Sequence, residues 1–223
     1  MKIVWFGHAT FFAKLDNKTT ILFDPYDKNA CGSSFTYSDN FPKCDIVLIS
    51  HNHRDHSFRD FKKKFGYQPV IIDKEGNYEH FGIKIRGRKF YHDQNQGRDR
   101  GESIAFSVNT EKGDIIHFGD IGERAGRENF KEMIDPYIAM VPVGGNFTID
   151  YKQACELMEL ISPRFIFPMH YKTEHLDFPI DNADRFIKTM KNYRIRRVDS
   201  FDDDEEKMEE NTLFILTPSN EVI

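Results

Sequence analysis

The chain has no apolar run approaching the roughly 18 residues that a membrane-spanning helix needs, so it is not expected to meet a membrane. Its first residues, MKIVWFGHAT, lack the basic start and long apolar stretch of a secretory leader, and a cytoplasmic location is expected. Cysteine is scarce. Cys31, Cys44 and Cys155 form no C-x-x-C pair and leave one thiol over, which argues against a disulfide scaffold or a zinc ribbon and fits a reducing compartment. Positive charge is not in excess: 31 Lys and Arg against 36 Asp and Glu give a net charge of −5. With the two signs mixed along most of the sequence, no nucleic-acid partner is expected and a small-molecule substrate is. No G-x-S-x-G elbow occurs, so neither Ser103 nor Cys155 has the context of a catalytic nucleophile. Repeats and low-complexity tracts are missing too; the one marked shift in composition is the acidic run 202–210.

What is present suits one large α/β domain spanning 1–223: the 223 residues are 39% hydrophobic and 14% aromatic, enough for a sizeable core. Short apolar runs alternate with amphipathic segments, the pattern of layered α/β architecture. Strands are expected at 3–6, 20–23, 46–49, 70–72, 83–91, 103–108, 114–118, 138–141 and 165–167. A helix is expected over 151–161, where Ala154, Leu157, Met158 and Ile161 recur at i, i+3, i+4 and i+7. Ala183, Phe186, Ile187 and Met190 repeat that spacing after Asp181, and both stripes read as core faces. A weaker helix after Ser57 carries Arg59, Lys62, Lys63 and Lys64 on what reads as a solvated face. The strand-like pieces 194–198 and 212–217 flank the acidic run and are expected to form a hairpin with a solvated tip.

The strongest signal is His51-Asn52-His53-Arg54-Asp55-His56, directly after the apolar run 45–49. As a strand ends, the alternate residues His51 and His53 can face one centre, while Asp55 and His56 in the following turn face another. Four potential ligands within six residues crowd a single tetrahedral ion and suit two. Further candidates follow strand-like runs: His92, Asp120 and His170. Ligand sites gather where the strands of open α/β sheets end, so these residues are expected to converge on the cluster. Taken alone, each of the three reads as an ordinary core or surface residue; the cluster reverses that reading.

These residues, with Gly7-His8-Ala9, Asp24-Pro25, Gly119-Asp120, the segment 97–101, the block 142–148 and Pro168-Met169-His170-Tyr171, give the chain its resemblance to the metallo-β-lactamase superfamily. It is most similar to the branch that holds ascorbate-6-phosphate lactonase and uncharacterised metal-dependent hydrolases. The resemblance implies a four-layer αββα sandwich and two divalent metal ions, zinc foremost, with manganese, iron or nickel compatible with imidazole and carboxylate ligands. It implies further that His51, His53 and His92 hold one ion, that Asp55, His56 and His170 hold the other, and that Asp120 bridges them. Ile121 departs from the pattern, since the family often has threonine or serine after Gly-Asp. His8 and Asp24 match family positions near the site and are expected to orient a ligand imidazole, touch substrate or serve structure alone. His80, His117 and His175 have no ligand spacing and read as structural or exposed, His117 pointing away from Asp120.

Such a pair of ions lowers the pKa of a shared water and polarises the bond under attack, so hydrolysis is the expected reaction. Asp120 and Asp55 are the expected catalytic carboxylates, Asp55 as a proton shuttle. Arg98 and Arg100 closely follow His92, and Lys172 lies two residues after His170, which favours an anionic substrate. Arg100 matches the lactonase pattern; Arg98 fits a solvated loop better. Gly144 and Gly145 let backbone approach a substrate, and the long loop 26–43 is placed to wall the pocket. A lactone or phosphoester in a small phosphorylated or carboxylated compound is the expected target, and a homo-oligomer is compatible. Three alternatives stand beside it. A nuclease or phosphodiesterase acting on nucleic acid is disfavoured by the acidic balance. An iron pair reducing oxygen or nitric oxide is disfavoured by His53, where related diiron proteins typically carry glutamate. A metal-binding sensing module without turnover is disfavoured by the complete ligand set.

Overall fold

Alternation along short strands builds the molecule, a computed structural model that describes residues 1–33, 35–203 and 211–220. In chain order these residues form β1 (Lys2–Trp5), β2 (Phe11–Lys14), β3 (Thr20–Phe23), α1 (Lys28–Cys31), β4 (Ile46–Leu48), α2 (Phe61–Phe65), β5 (Val70–Ile72), β6 (Gly76–His80), β7 (Ile83–Tyr91), β8 (Glu102–Thr110), β9 (Gly113–His117), α3 (Arg127–Phe130), β10 (Ile138–Pro142), α4 (Tyr151–Ile161), β11 (Phe165–Met169), α5 (Asp184–Thr189), β12 (Arg194–Val198), β13 (Phe201–Asp202) and β14 (Thr212–Leu216). They assemble a six-stranded sheet, β13-β1-β2-β3-β4-β5, and an eight-stranded sheet, β12-β14-β11-β10-β9-β8-β7-β6. Alternate side chains of the six-stranded sheet go to opposite faces. Ile3, Trp5, Ile21, Phe23, Ile46 and Leu48 join the core shared with the eight-stranded sheet, while Val4, Leu22 and Val47 join a second cluster with Tyr26, Phe41, Phe58 and Phe61. One outer layer is therefore α2 plus an aromatic-rich loop. The other is α4 and α5, which pack together beyond the eight-stranded sheet. A capping box starts α4: the Asp150 side chain accepts from the Lys152 and Gln153 amides, which stabilises the helix by about 1 kcal/mol.

Strand direction sets up everything that follows. β1 and β3 both pair antiparallel with β2, and β3 pairs parallel with β4. β7 and β9 both pair antiparallel with β8, and β9, β10 and β11 run parallel. So β1, β3 and β4 in one sheet, and β7, β9 and β11 in the other, each send their C-terminal ends to one edge.

The C-terminal region departs from expectation. β12 and β14 do not form a hairpin; they pair parallel, Arg194 opposite Thr212 through Val198 opposite Leu216. Between them the chain crosses to the six-stranded sheet as β13, antiparallel to β1, with Phe201 opposite Ile3. The cause is Phe201, which is fully buried with its ring 5.6 Å from Phe165 and 5.1 Å from Phe214. A hairpin tip would leave that ring in water, at a cost of about 2 kcal/mol or more. Of the acidic run, Asp202 ends β13, and 204–210 lie outside the described residues. His80 lies in edge strand β6. No helix among the described residues is long and apolar enough to cross a membrane.

Candidate metal centre

Six of the strand ends that share one edge deliver the predicted site residues. His8 follows β1, Asp24 follows β3, the 50–56 turn follows β4, His92 follows β7, Asp120 follows β9 and His170 follows β11. Three of these turn inward through left-handed backbone, His8 at φ 52°, Asp24 at φ 42° and His170 at φ 51°. For a residue with a Cβ that conformation costs on the order of 1–3 kcal/mol, so surrounding contacts must hold it. The Asp120 loop is held by close packing. A Cβ on Gly119 would lie 2.6 Å from Ser50 Cβ, and one on Gly122 would lie 2.3 Å from the His92 carbonyl carbon. Only glycine lets this loop sit against both neighbours.

The donor atoms converge. The ligating atoms of His51, His53 and His92 lie within 4.8 Å of one another, as do those of His8, Asp55, His56 and His170. Between the two groups sits Asp120, whose Oδ2 is 3.3 Å from His56 Nε2, 3.3 Å from His170 Nε2, 3.4 Å from His92 Nε2 and 3.8 Å from His51 Nε2. His56, His92, Asp120 and His170 are buried, Asp55 is half-buried, and His53 is exposed at the mouth. The structure thus brings together all seven residues that the sequence offered as ligands, and adds His8 to the second group.

Hydrogen bonding behind the donors fixes two tautomers. Asp24 accepts from the Ser50 amide at Oδ1 (2.7 Å) and from the Ser50 hydroxyl at Oδ2 (2.6 Å), and His56 Nδ1 lies 2.9 Å from that Oδ2. A carboxylate only accepts, so His56 carries a proton on Nδ1 and turns Nε2 inward as the atom free to bind a cation. The Ser50 hydroxyl has spent its proton on Asp24, so its 2.9 Å contact with His51 Nδ1 must be donated by the imidazole. His51 Nε2 is therefore also a lone pair facing the cluster. One buried carboxylate sets an imidazole in each donor group.

The electrostatics show what the arrangement demands. Burial would raise the Asp120 carboxyl, but His170 and His56 hold it well below the usual carboxylate range. Asp55 behaves likewise: His56 and His8 outweigh its burial. Burial, with His56 beside it, pushes His51 down to about 3; burial and then His170 push His8 down to about 4. His56 alone is raised well above 6.5, because Asp120 and Asp55 outweigh its burial. Inward-facing lone pairs and carboxylate oxygens call for cations. His92 Nε2 and Asp120 Oδ1 have no hydrogen-bond partner although buried, a cost of about 1–3 kcal/mol each unless a cation takes them. The donor set fits divalent metal of the kind that imidazole and carboxylate bind.

Around this centre, Asp93 folds the next loop by accepting from the amides of Asn95, Gly97, Asp99 and Arg100 at 2.7–3.1 Å. The loop carries Arg100 across the Phe147 ring, its guanidinium carbon 4.8 Å from the centroid, and Nη2 donates to the Asn146 carbonyl at 3.4 Å. Arg98 is exposed on the same loop. Lys172 is exposed and paired with Asp177 at 3.3 Å, which compensates the charge expected to serve a substrate. Loop 26–43 meets the segment after His170 through a bridge between Phe35 and Leu176, and Phe147 and Phe178 continue that wall. His117 is structural, donating from Nε2 to the Ala9 carbonyl and accepting the Gly119 amide at Nδ1. Ser50, Asp93, and Ser103 as the acceptor for the Asp120 amide (3.0 Å), were not singled out from the sequence for these roles. Only Asp93 had a local signal, an Asx residue before Asn95 and Gly97.

Comparison with known proteins agrees with this fold. The β-lactamase superfamily domain matches residues 2–170, and the chain belongs to the metallo-β-lactamase superfamily. Within it the protein is a metal-dependent hydrolase. A UPF0173 metal-dependent hydrolase of Methanosarcina mazei is 29% identical over 197 residues, covering 78% of this chain and 84% of that one. A proposed Zn-dependent hydrolase of the superfamily from Thermotoga maritima superposes with a TM-score of 0.75 at 30% identity, over 96% of this chain and 97% of that one. A metallo-hydrolase from Ignicoccus hospitalis shares the fold, with a TM-score of 0.65 at 24% identity over 86% of this chain and 90% of that one.

Proposed function

We propose that this hydrolase uses two divalent ions, zinc foremost, to hydrolyse a small anionic compound at a lactone or phosphoester bond in the cytoplasm. The observation that carries the reading is the position of Asp120 Oδ2, 3.3–3.8 Å from imidazole nitrogens of both donor groups. His51, His53 and His92 would hold one ion and Asp55, His56 and His170 the other, with the Asp120 carboxylate standing between the two groups. Such ions, when bound, would supply a water of lowered pKa and polarisation of the bond under attack. The chain's own residues do the rest. Asp24 and Ser50 keep the Nδ1 protons of His51 and His56 turned outward, and half-buried, ionised Asp55 is placed to take up a proton and shuttle it to the leaving group. Arg100 has no carboxylate partner among the described residues, and its planar fork is free to take a phosphate or carboxylate. The zinc named for the Thermotoga maritima relative supports that metal.

Elemental analysis of protein purified without chelator tests the reading, followed by hydrolysis assays against lactones, phosphomonoesters and phosphodiesters with Asp120→Ala as control. Two ions per chain and activity lost in the variant are the expected outcome. Two ions with no turnover of any class would favour a sensing module, and cleavage of single-stranded RNA in preference to small esters would favour a nuclease.

A further inference from the structure

A buried histidine that serves packing alone satisfies both its nitrogens, and His117 provides the internal standard. Its Nε2–H donates to the Ala9 carbonyl at 2.8 Å and its Nδ1 accepts the Gly119 amide at 3.2 Å. His8 is equally buried and does not follow that pattern. Its Nδ1 has no partner, and its Nε2 lies 3.1 Å from Asp55 Oδ2 and 3.2 Å from His56 Nε2. His170 resembles it: buried, Nδ1 unpartnered, Nε2 turned to the cluster, φ 51° against 52° for His8. The two residues end strands of opposite sheets and are tied together, the His170 amide donating to the His8 carbonyl at 3.0 Å.

We propose that His8 is a direct donor to the ion held by Asp55, His56 and His170, giving that ion five protein donors, with Asp120, where its neighbour has four. The inference rests on the two-ion reading above. Because His56 gives its Nδ1 proton to Asp24, only its Nε2 faces the cluster, and it presents a lone pair to any cation bound there. Asp55 Oδ2 is an acceptor too, and a single hydrogen on His8 Nε2 cannot satisfy both. One cation among the three can, since donors bound at about 2.0–2.2 Å to a common ion sit roughly 3 Å apart. The ring is also held in place: Phe35 and Phe178 stand edge-on to it at 5.4 and 5.8 Å, and Trp5 Nε1 donates to the His8 carbonyl. Such a constraint, added to a left-handed backbone, suits a side chain whose aim matters. The richer set is also the more buried one, so the ion beside exposed His53 is the more labile and offers the open coordination positions.

Chelator-competition titrations with Zn(II) and Co(II) test this on the wild-type chain, His8→Ala and His8→Gln. The readouts are ions bound per chain, the affinity of each site and the Co(II) visible spectrum, with circular dichroism to confirm folding. Glutamine keeps an N–H that could steady Asp55 but not the imidazole lone pair. The wild type is expected to bind two ions. Both variants are expected to weaken the tighter site by at least about 100-fold, change its Co(II) spectrum and leave the weaker site unmoved. Wild-type affinity and spectrum in His8→Gln would overturn the inference, reducing His8 to a residue that positions Asp55, and the two-ion reading would stand. Should His8→Ala fail to fold, His8→Gln alone decides. A wild-type chain that binds fewer than two ions would overturn the two-ion reading and this inference with it.

Discussion

The two sheets hold their donors by different means. On the six-stranded side, a side-chain relay locks the imidazoles: His51 donates to Ser50, Ser50 donates to Asp24, and His56 donates to the same Asp24 carboxylate. On the eight-stranded side, His92 and His170 have no partner at Nδ1 and Asp120 has none at Oδ1, so backbone packing does the work through glycines that accept no Cβ. The relay controls which nitrogen is free, whereas the packing controls where a donor stands. The first is sensitive to charge and proton count, the second to volume.

The largest effect is therefore expected from Asp24. Asp24→Ala leaves His56 Nδ1–H and two Ser50 donors buried without an acceptor, a loss of about 3–5 kcal/mol in the chemical denaturation of metal-free protein. Asp24→Asn keeps the volume but turns an amide N–H₂ towards His56 and the Ser50 hydroxyl. His56 must then carry its proton on Nε2, where it blocks the donor atom, and affinity at both ions is expected to fall by about 100-fold in chelator competition. Loss at one ion alone would break the idea that this carboxylate serves both groups.

Gly122→Ala is the matching perturbation of the other side. With its Cβ 2.3 Å from the His92 carbonyl carbon and 2.4 Å from the Asp93 amide, the loop must move. Overpacking of this kind costs about 3 kcal/mol, or roughly 6–12 °C in Tm for a chain of this size. Gly126→Ala is the control, since nothing lies within 4 Å of its Cβ, and a change within about 0.5 kcal/mol is expected. Equal Tm values for the two variants would remove the distinction between relay and packing.

This contrast also explains what the sequence could reveal. The 51–56 cluster is legible because its donors are adjacent, and His92, Asp120 and His170 are legible because each follows an apolar run. The relay is half visible: Asp24 stands at a strand end, but a serine before His51 carries no pattern of its own. Left-handed backbone at His8 and His170 leaves no trace in composition, because only contacts made after folding hold a non-glycine residue there. At the C-terminus two strand-like runs around a polar stretch fit a hairpin and a split pair equally well. A single apolar residue, Phe201, decides between them. Lys172 shows the converse limit, since its nearness in sequence to His170 did not foretell its pairing with Asp177.

Arg100 extends the comparison to substrate. It sits on the eight-stranded side, on a loop organised by Asp93, and is placed by backbone bonds and its ring contact, not by an opposite charge. Arg100→Ala is expected to raise KM for an anionic substrate by about 30-fold with kcat unchanged, the weight of one charged hydrogen bond of roughly 2 kcal/mol. Arg100→Lys should recover only part, because the fork is lost. Equal losses for neutral and anionic substrates would make Arg100 a packing residue.

The smallest effect sharpens the comparison, because it concerns a side-chain hydrogen bond that crosses between the sheets. His117 belongs to β9, donates to the Ala9 carbonyl of the β1–β2 turn and accepts the Gly119 amide just ahead of Asp120. Both contacts need the neutral ring, and burial lowers its pKa below 6.5. Below pH 6.5 the unfolded chain therefore binds a proton that the folded chain refuses, so stability from this group is present at neutral pH and declines as pH falls towards the folded-state value. In His117→Gln, which keeps an amide donor and a carbonyl acceptor, the pH dependence of unfolding free energy below 6.5 is expected to flatten by up to about 1.4 kcal/mol per pH unit. An unchanged slope, measured by denaturation of metal-free protein across that range, would mean that His117 takes its proton without leaving its place, and that the sheets are joined at this edge by packing alone.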